Sequence, residues 1–348
     1  MKIFFIMCAM LTAALGYSAE IRVVEQGTLV KDGFHNAFPS IIRYKDKLFM
    51  AHRKATGHRR YDGVTALYVS ADNGKSFQKV REFAAADGDM RDPRLCLVNG
   101  ALVVYSGCGY PQKDGSHKYS LKSFRSTDGK NFEEFTVKGL KENSFFWGCV
   151  PYKNGYIATA YKKVGKELVS SLYYSTDGEN FQHYLTFPGT GNETSLAVDK
   201  ENNLHCIVRR ETADRLPDYH VVKDKKIVKS VRLSEPLQGI MLAINGDEFI
   251  VAGRHWTWRN PAAFAGRKKV RLDLFTMDKE GKLKFQNTLK SAGDCSYSFC
   301  ARLDNGEFYT VYYSQHDYME RFLKEKNAKP LTDKRPADIC FARIKLNK

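Results

Sequence analysis

The chain consists of short apolar runs that alternate with turn sequences along nearly its whole length. The runs are rich in Val, Ile, Phe and Tyr, and Asn-Gly, Asp-Gly, Lys-Asp and Gly-Asp pairs separate them. Such runs are typical of β-strands, and such pairs are typical of tight turns. Aromatic residues make up 13% of the sequence, which suits half-buried pleated surfaces. Because no stretch after the N-terminus has strong helical periodicity, the pattern predicts an all-β protein.

The N-terminal segment departs from this pattern. Lys2 precedes an apolar run over residues 3–15, and small residues follow the run. This order is typical of a signal peptide, and the run is too short to span a bilayer. We therefore predict a signal peptide over residues 1–19 and a secreted or periplasmic protein, with a buried N-terminal strand as the alternative. The other apolar stretches are shorter than a membrane span, so we expect no transmembrane segment.

Three turns in the sequence repeat one design. In each, a strand ends in an aromatic residue and a Ser, an Asp and a Gly follow, and a second aromatic residue closes the turn. The Asp can cap the turn by accepting backbone N–H bonds, and the Gly adopts a backbone angle that other residues resist. This is the Asp-box, and it resembles the hairpin between the third and fourth strands of sialidase-type propeller blades. The copies are YVSADNGKSF (68–77), FRSTDGKNF (124–132) and YYSTDGENF (173–181), with a degenerate fourth, FTMDKEGKLKF (275–285).

With these turns as anchors, the chain divides into six four-stranded units. The sixth unit has only three strands before the chain ends, and the N-terminal run 21–30 can supply its missing outer strand. That pairing closes the ring and leaves no long open edge. The sequence therefore predicts a single six-bladed β-propeller domain over residues 20–348, with the polar stretch 315–336 as an excursion within blade six. Each unit starts with an apolar hairpin, at residues 37–53, 91–107, 147–163, 193–210, 238–254 and 296–314.

The charge of the chain indicates the class of partner. The formal net charge is +16, or +15 once Lys2 is removed with the signal peptide. A strongly basic exported protein often binds an acidic glycan, a membrane surface or nucleic acid. The basic residues are scattered and no nucleic-acid motif is present, so we expect a glycan, not nucleic acid. General solubility explains the charge equally well. We expect a monomer.

The cysteines predict neither a metal site nor a redox motif. Seven follow the signal peptide, none of them forms a CxxC pair, and their spacing does not match a zinc site. They sit mostly in apolar runs, so we interpret them as small core residues. An odd count leaves at least one free thiol or an intermolecular bond. We expect no metal and no cofactor.

Two segments resemble the active-site strands of bacterial exo-sialidases, a resemblance that extends over almost the whole mature chain. In NETSLAVDKENNLHCIVRR, Glu193 and Arg209 take the places of a Glu that opens the hairpin and an Arg that binds the substrate carboxylate. In CSYSFCARLDNGEFYTVYYS, Tyr297 takes the place of the family's nucleophile. A free Tyr has a pKa near ~10 and is a poor nucleophile, so a neighbouring carboxylate must accept its proton. Glu193 can do this. The alternative is that Tyr297 is an ordinary aromatic residue of a strand and Glu193 is a turn residue.

Two aspartates have weaker counterparts in the family. RDPRL resembles the Asp-Pro that starts blade two in sialidases, so Asp92 is a candidate substrate-binding residue with Arg91 close by. Asp-Pro is also a common turn at the start of a strand. Asp62 lies roughly where the family places its acid/base Asp.

The chain departs from the family in its arginines. Sialidases bind the carboxylate with three, and the first belongs to an Arg-Ile-Pro motif where this chain has 37–39, Ala-Phe-Pro. The blade-five arginine has no clear match, because Gln238 stands near its expected place. Arg53 and Arg254 end inner hairpins and could reach the pocket, or could form surface pairs. Each carboxylate contact that is lost weakens the case for sialic acid in particular.

Other residues of this chain are candidates for catalysis or sugar binding near the positions where the family's arginines are missing. His35 sits where blade one enters the pocket, and a histidine there can act as an acid or base near neutral pH. A turn histidine with satisfied hydrogen bonds is the alternative. Trp147 and the pair 255–256, His-Trp, could stack on a sugar or simply pack in the core.

These residues predict an exported glycoside hydrolase that releases a terminal, acidic sugar through Tyr297 and Glu193, with Asp62 or His35 as the acid. A lyase that uses His35 is an open variant. The competing hypothesis is a non-catalytic propeller that binds carbohydrate or protein, since Asp-boxes are structural. The distance between Tyr297 and Glu193 discriminates between the two hypotheses.

Overall fold

The computed structural model describes residues 20–112, 117–256, 270–318 and 336–347. Within these ranges, the chain forms six antiparallel sheets of four strands each. The sheets are the blades of a six-bladed β-propeller, which confirms the fold predicted from the alternation of apolar runs and turns. The predicted signal peptide over 1–19 and most of the polar stretch 315–336 lie outside the described residues.

Blades one to five each use four consecutive strands, numbered from the inner to the outer edge of the sheet. Blade one contains β2 (His35–Tyr44), β3 (Lys47–Ala55), β4 (Val64–Ser70) and β5 (Gln78–Phe83); blade two contains β6 (Asp89–Val98), β7 (Ala101–Pro111), β8 (His117–Ser126) and β9 (Glu133–Phe135); blade three contains β10 (Phe145–Tyr152), β11 (Gly155–Val164), β12 (Glu167–Ser175) and β13 (Gln182–Thr186); blade four contains β14 (Thr194–Val198), β15 (Leu204–Val208), β16 (Asp218–Lys223) and β17 (Lys226–Arg232); blade five contains β18 (Leu237–Asn245), β19 (Glu248–Trp256), β20 (Val270–Met277) and β21 (Leu283–Leu289).

Blade six closes the ring with both ends of the described chain. It contains β22 (Ser296–Arg302), β23 (Phe308–Ser314), β24 (Asp338–Asn347) and the N-terminal strand β1 (Glu20–Val30), in the order β1-β24-β23-β22. The pairing of β1 with β24 is antiparallel. The prediction that the N-terminal run supplies the missing outer strand is therefore confirmed.

Burial falls from the inner to the outer strands of a blade. In β2 nearly every residue is buried, whereas β17 alternates exposed and half-buried positions. An inner strand that is covered on both faces needs a continuous apolar run, and an outer strand needs an apolar residue only at every second position. This difference explains why the inner hairpins are the most apolar segments of the sequence.

The Asp-box turns close the outer hairpins as predicted, and they also join neighbouring blades. In the third copy, Asp177 accepts hydrogen bonds of 2.8 Å from the backbone N–H groups of Glu179 and Asn180. The carbonyl oxygen of Gly178 accepts a 2.7 Å hydrogen bond from the Tyr105 hydroxyl of blade two. The first copy makes the equivalent contact with Tyr309 of blade six. Each of these turns therefore fixes its blade against the preceding one.

The seven cysteines after the predicted signal peptide are all free, and all but Cys300 are buried. Within the described ranges, no helix has the length and apolar character that a membrane crossing requires.

Candidate active site

The inner strands surround a cavity of about 760 Å³ at one end of the propeller axis. Every blade contributes polar or aromatic side chains to its wall. The lining residues include one from each of blades one to six, which are, in that order, His35, Asp92, Trp147, Glu193, Arg254 and Tyr297.

A repeated β-bulge aims several of these side chains. The inner strands of blades one, two, five and six each carry one extra residue relative to their partner strand. The residue within each bulge has positive φ: 57° at Phe38, 47° at Asp92, 56° at Gly239 and 51° at Tyr297. A bulge redirects the side chain that it carries, and positive φ is a strained state for residues other than glycine. The same distortion therefore recurs around the ring, at the edge of the cavity.

The glycine in blade five makes room for its neighbour in blade six. A Cβ atom at Gly239 would lie 2.2 Å from Ser296 Oγ and 3.3 Å from Tyr297 Cδ1. A larger residue at this bulge would displace the strand that holds Tyr297. The absence of a side chain at Gly239 is therefore part of how Tyr297 is positioned.

Tyr297, Glu193 and Arg209 form one hydrogen-bonded group in the cavity. The Tyr297 hydroxyl donates to Glu193 Oε1 at 2.8 Å, and Arg209 Nη1 donates to the same hydroxyl at 2.9 Å. Arg209 Nη1 also lies 2.6 Å from Glu193 Oε2. Glu193 and Arg209 face each other because they flank the hairpin β14–β15, where the Arg209 N–H donates to the Glu193 carbonyl at 2.9 Å. The structure thus brings together the three residues with the closest family counterparts.

The electrostatics around Tyr297 favour the protonated phenol. Burial raises its pKa above the ordinary value, and the Glu193 carboxylate raises it further, while Arg209 and Arg254 act in the opposite direction. Ionisation of the phenol therefore requires Glu193 to accept the proton. The hydrogen bond between the two groups already provides the route.

The second guanidinium near Tyr297 comes from Arg254, at the end of β19. Its Cζ lies 5.9 Å from the centroid of the Tyr297 ring, and its Nη1 lies 3.6 Å from Asp294 Oδ1. Gln238 pairs with Arg254 across the hairpin but is buried outside the cavity wall, where its amide donates to Glu211 at 3.2 Å. Arg254, not Gln238, thus faces the cavity from blade five.

Asp294, just before β22, joins two histidines on the opposite wall. His35 Nε2 lies 3.1 Å and His58 Nδ1 lies 2.5 Å from Asp294 Oδ2, and the Tyr313 hydroxyl donates to Oδ1 at 2.8 Å. Burial favours the neutral carboxyl, but the bonds from the histidines hold the pKa of Asp294 well below its ordinary value. His35 is almost fully buried, whereas the His58 side chain is 31% exposed. Sequence reasoning singled out only His35, because His58 lies in a loop without a recognisable motif.

Asp92 and Trp147 line the cavity between these two groups. Burial raises the pKa of Asp92, although Arg94 and Arg91 oppose this effect. The Trp147 ring packs edge-on against Tyr297 at a centroid distance of 5.5 Å, and Arg94 Cζ lies 4.2 Å from the centroid of the Trp147 ring. Trp147 is only 4% exposed, so it forms part of the cavity floor.

Asp62 and Arg53 do not reach the cavity wall. Asp62 is exposed, accepts a 2.6 Å hydrogen bond from Thr56 Oγ1, and lines a surface depression that adjoins the cavity through Arg59 and Tyr61. Arg53 is fully buried; it donates to Asp89 Oδ1 at 2.9 Å and to the carbonyls of Gly57 at 3.1 Å and Arg60 at 2.6 Å. Arg53 therefore holds the loop that carries His58.

The histidine–aspartate group is also the place to consider a metal ion. Among the described residues, the potential ligand atoms of His35, His58 and Asp294 lie within 4.8 Å of one another. Both imidazole nitrogens contact the same carboxylate oxygen at hydrogen-bond distance. These contacts are at hydrogen-bond distance, so we interpret the group as a hydrogen-bonded network.

Comparison with known proteins supports the fold. Neither a family model nor a curated protein matches the chain. A Dyadobacter fermentans protein of unknown function matches with a TM-score of 0.77 and 14% identity, over 94% of this chain and 100% of its own. The phage phi92 endosialidase matches with a TM-score of 0.70 and 10% identity, over 93% of this chain and 69% of its own. A Trypanosoma rangeli sialidase in complex with the inhibitor DANA matches with a TM-score of 0.63 and 12% identity, over 90% of this chain and 55% of its own. The chain therefore has a sialidase-like six-bladed propeller fold.

Proposed function

We propose that the chain is a glycoside hydrolase that releases a terminal acidic sugar by nucleophilic attack of Tyr297 on the anomeric carbon. The observation that carries this proposal is the 2.8 Å hydrogen bond from the Tyr297 hydroxyl to Glu193 Oε1. A tyrosine nucleophile is a known exception to the scheme in which two carboxylates hydrolyse a glycoside. The sialidase and the endosialidase among the structural neighbours support a glycan as the substrate class.

In the proposed reaction, Glu193 accepts the phenolic proton as the Tyr297 oxygen bonds to the anomeric carbon and the glycosidic bond breaks. Arg209 donates to the Tyr297 oxygen at 2.9 Å, so it stabilises the negative charge that develops there. Water then displaces Tyr297 from the glycosyl-enzyme, and Glu193 returns the proton to the phenolate. Two displacements at one carbon give net retention of configuration.

An acidic substituent on the sugar would meet Arg254 and Arg209. The described partner closest to Arg254 Nη1 is Asp294 at 3.6 Å, which leaves that group able to donate to a ligand. The formal net charge of +16 favours the approach of an anionic glycan. Two guanidinium groups suit one carboxylate or sulfate, and the lost blade-one arginine leaves the class of acidic sugar open.

Three further candidates have supporting roles in this proposal. Asp92 accepts hydrogen bonds from sugar hydroxyls, and Trp147 supports the sugar from the floor of the cavity. Gln238 holds Glu211, whose Oε1 lies 2.6 Å from Arg209 Nη2, and so helps to orient Arg209. Because a signal peptide is predicted over residues 1–19, the proposed enzyme acts after export from the cytoplasm.

The proposal is tested by a screen of the purified protein against sialosides, uronate-capped glycans and sulfated glycans. We expect turnover of one anionic class, and a loss of at least ~10³-fold in kcat/KM for Tyr297→Phe, because the nucleophile is gone. Tyr312→Phe is the matched control, since the Tyr312 hydroxyl bonds to the Lys290 carbonyl away from the cavity.

Two results of this screen would contradict the proposal. Binding of an anionic glycan without turnover would favour the non-catalytic propeller. Products with an unsaturated sugar and no added water would favour a lyase that uses His35.

A further inference from the structure

The loop between β3 and β4 carries His58 into the cavity, where the family resemblance led us to expect Asp62. We propose that His58 is the catalytic acid and base that protonates the leaving oxygen and later activates water. This inference rests on the proposed hydrolase function and specifies a residue that the resemblance does not supply.

The hydrogen bond to Asp294 determines which nitrogen of His58 is available. Because His58 Nδ1 lies 2.5 Å from Asp294 Oδ2, the Nδ1 position carries a proton and donates it to the carboxylate. None of the described residues hydrogen-bonds to Nε2, and the side chain is 31% exposed at the cavity wall. A carboxylate that holds one imidazole nitrogen leaves the other to exchange a proton with a ligand, as in hydrolase triads.

Asp294 is itself held firmly enough to orient His58. His35 Nε2 and the Tyr313 hydroxyl contact it at 3.1 Å and 2.8 Å, and its backbone N–H donates to Gln315 Oε1 at 3.0 Å. His35 is almost fully buried behind this carboxylate. We therefore assign a positioning role to His35, and we assign the proton transfer to His58.

The loop that carries His58 is fixed from two blades. Arg53 of blade one donates to the carbonyls of Gly57 and Arg60, which flank His58. Arg91 of blade two donates to the His58 carbonyl at 3.3 Å. Both arginines therefore position the loop, and Arg91 also lines the cavity.

His58 and Tyr297 both pack against the Phe38 ring. The centroid of the Phe38 ring lies 5.5 Å from that of His58 and 5.2 Å from that of Tyr297, with both contacts edge-to-face. A sugar held over Phe38 can therefore present its anomeric carbon to Tyr297 and its leaving oxygen to His58. Asp62 lines the adjoining surface depression and not the cavity wall that Tyr297 and His58 share.

The proton inventory of this scheme balances. In the first step, the imidazolium of His58 gives its Nε2 proton to the leaving oxygen as the bond from that oxygen to the anomeric carbon breaks. The new bond runs from Tyr297 to the same carbon, and Glu193 holds the phenolic proton. In the second step, neutral His58 takes a proton from water, the water oxygen bonds to the anomeric carbon, and the bond to Tyr297 breaks.

The test compares leaving groups, because loss of an acid slows the departure of a poor leaving group and spares a good one. Both substrates contain the acidic sugar found in the screen. In one the leaving group is an alcohol, namely a hydroxyl of a second sugar, and in the other it is fluoride. For His58→Gln we expect kcat/KM to fall about 10²–10⁴-fold on the alcohol. On the fluoride, which needs little protonation, we expect a loss smaller than about tenfold.

His183→Gln is the matched control, because His183 is exposed on β13 and bonds only to Thr186 among the described residues. Equal losses on both substrates for His58→Gln, or a leaving-group-selective loss for Asp62→Asn in its place, would overturn the inference. If the inference on His58 fails but Tyr297→Phe is inactive on both substrates in the same assay, the hydrolase proposal still stands. If Tyr297→Phe is fully active on both, or the wild-type chain cleaves no glycan, the hydrolase proposal fails and the inference fails with it.

Discussion

The Asp-box turns and the axial cavity both depend on carboxylates, but the carboxylates find their partners at very different separations along the chain. In the second Asp-box, Asp128 accepts hydrogen bonds from Lys130 and Asn131, two and three residues away. In the cavity, Glu193 meets Tyr297 across 104 residues, and Asp294 meets His58 across 236 residues. The turns are local structures, and the cavity exists only once the ring has closed.

This difference has an energetic consequence. An Asp-box forms from a few neighbouring residues and stabilises the fold through local bonds and contacts between blades. The cavity instead collects buried charges and strained backbone, such as Tyr297 with φ of 51°, which cost stability and are retained where they serve a function. We therefore expect changes in the cavity to alter activity more than stability, and changes in the turns to do the reverse.

The largest expected effect in this comparison belongs to Glu193→Gln in the cavity. The amide keeps the shape but cannot accept the phenolic proton, so kcat/KM should fall about 10²–10⁴-fold with little change in the melting temperature. The measurement is a kinetic assay on the glycan from the screen, beside a thermal melt.

The same variant should change the titration of Tyr297. After burial, Glu193 is the main group that raises the pKa of Tyr297, and Arg209 and Arg254 lower it. Removing the carboxylate charge should therefore lower this pKa, which NMR of ring-labelled tyrosine can detect. An unchanged or raised pKa would show that Glu193 is not electrostatically coupled to the nucleophile.

Gly178→Ala tests the other region. Gly178 has φ of 75°, and a Cβ atom there would lie 2.6 Å from Val98 Cγ1. The change should lower the free energy of unfolding by about 2–4 kcal/mol, because a left-handed residue costs about 1–2 kcal/mol and overpacking adds to it. Activity per folded molecule should stay within about twofold.

Gly246→Ala separates the two contributions to that loss. Gly246 also has positive φ, 67°, but a Cβ atom there would meet no atom within 4 Å. We expect it to cost only about 1–2 kcal/mol in denaturant unfolding. If the two variants were equally destabilised, the packing of the Asp-box against blade two would contribute nothing.

Arg254→Lys should change activity less than Glu193→Gln does. A lysine keeps the positive charge but cannot make two parallel bonds to a carboxylate, so KM for the acidic glycan should rise about tenfold with a smaller change in kcat. Arg271→Lys in the neighbouring strand is the control, because Arg271 pairs with Asp273 outside the cavity wall. Equal KM values for the two variants would remove Arg254 from the anion clamp.

The same contrast explains how far the sequence could predict this molecule. The blades were predictable because the Asp-box is local and the apolar runs report burial directly. The pairing of β1 with β24 followed from counting strands. Glu193, Arg209 and Tyr297 could be singled out only because two local segments resemble known active-site strands.

The other wall of the cavity was beyond such prediction. His58 has no motif of its own, and its partner Asp294 lies 236 residues away. Arg53 and Asp62 are close in sequence to residues that line the cavity. In the fold, however, Arg53 is buried against Asp89, and Asp62 bonds to Thr56. Which polar side chain of a hairpin or loop faces the axis depends on bulges and on bonds between blades, and a single sequence does not report either.

Trapping of the glycosyl-enzyme shows whether Tyr297 is the residue that attacks the sugar. The protein is incubated with a fluorinated glycosyl fluoride of the acidic sugar, quenched in acid and analysed by intact-mass and peptide mass spectrometry. We expect one added glycosyl group on the peptide that contains Tyr297, and none on the Tyr297→Phe variant. Turnover of the natural glycan with the adduct on another residue, or on none, would contradict this expectation.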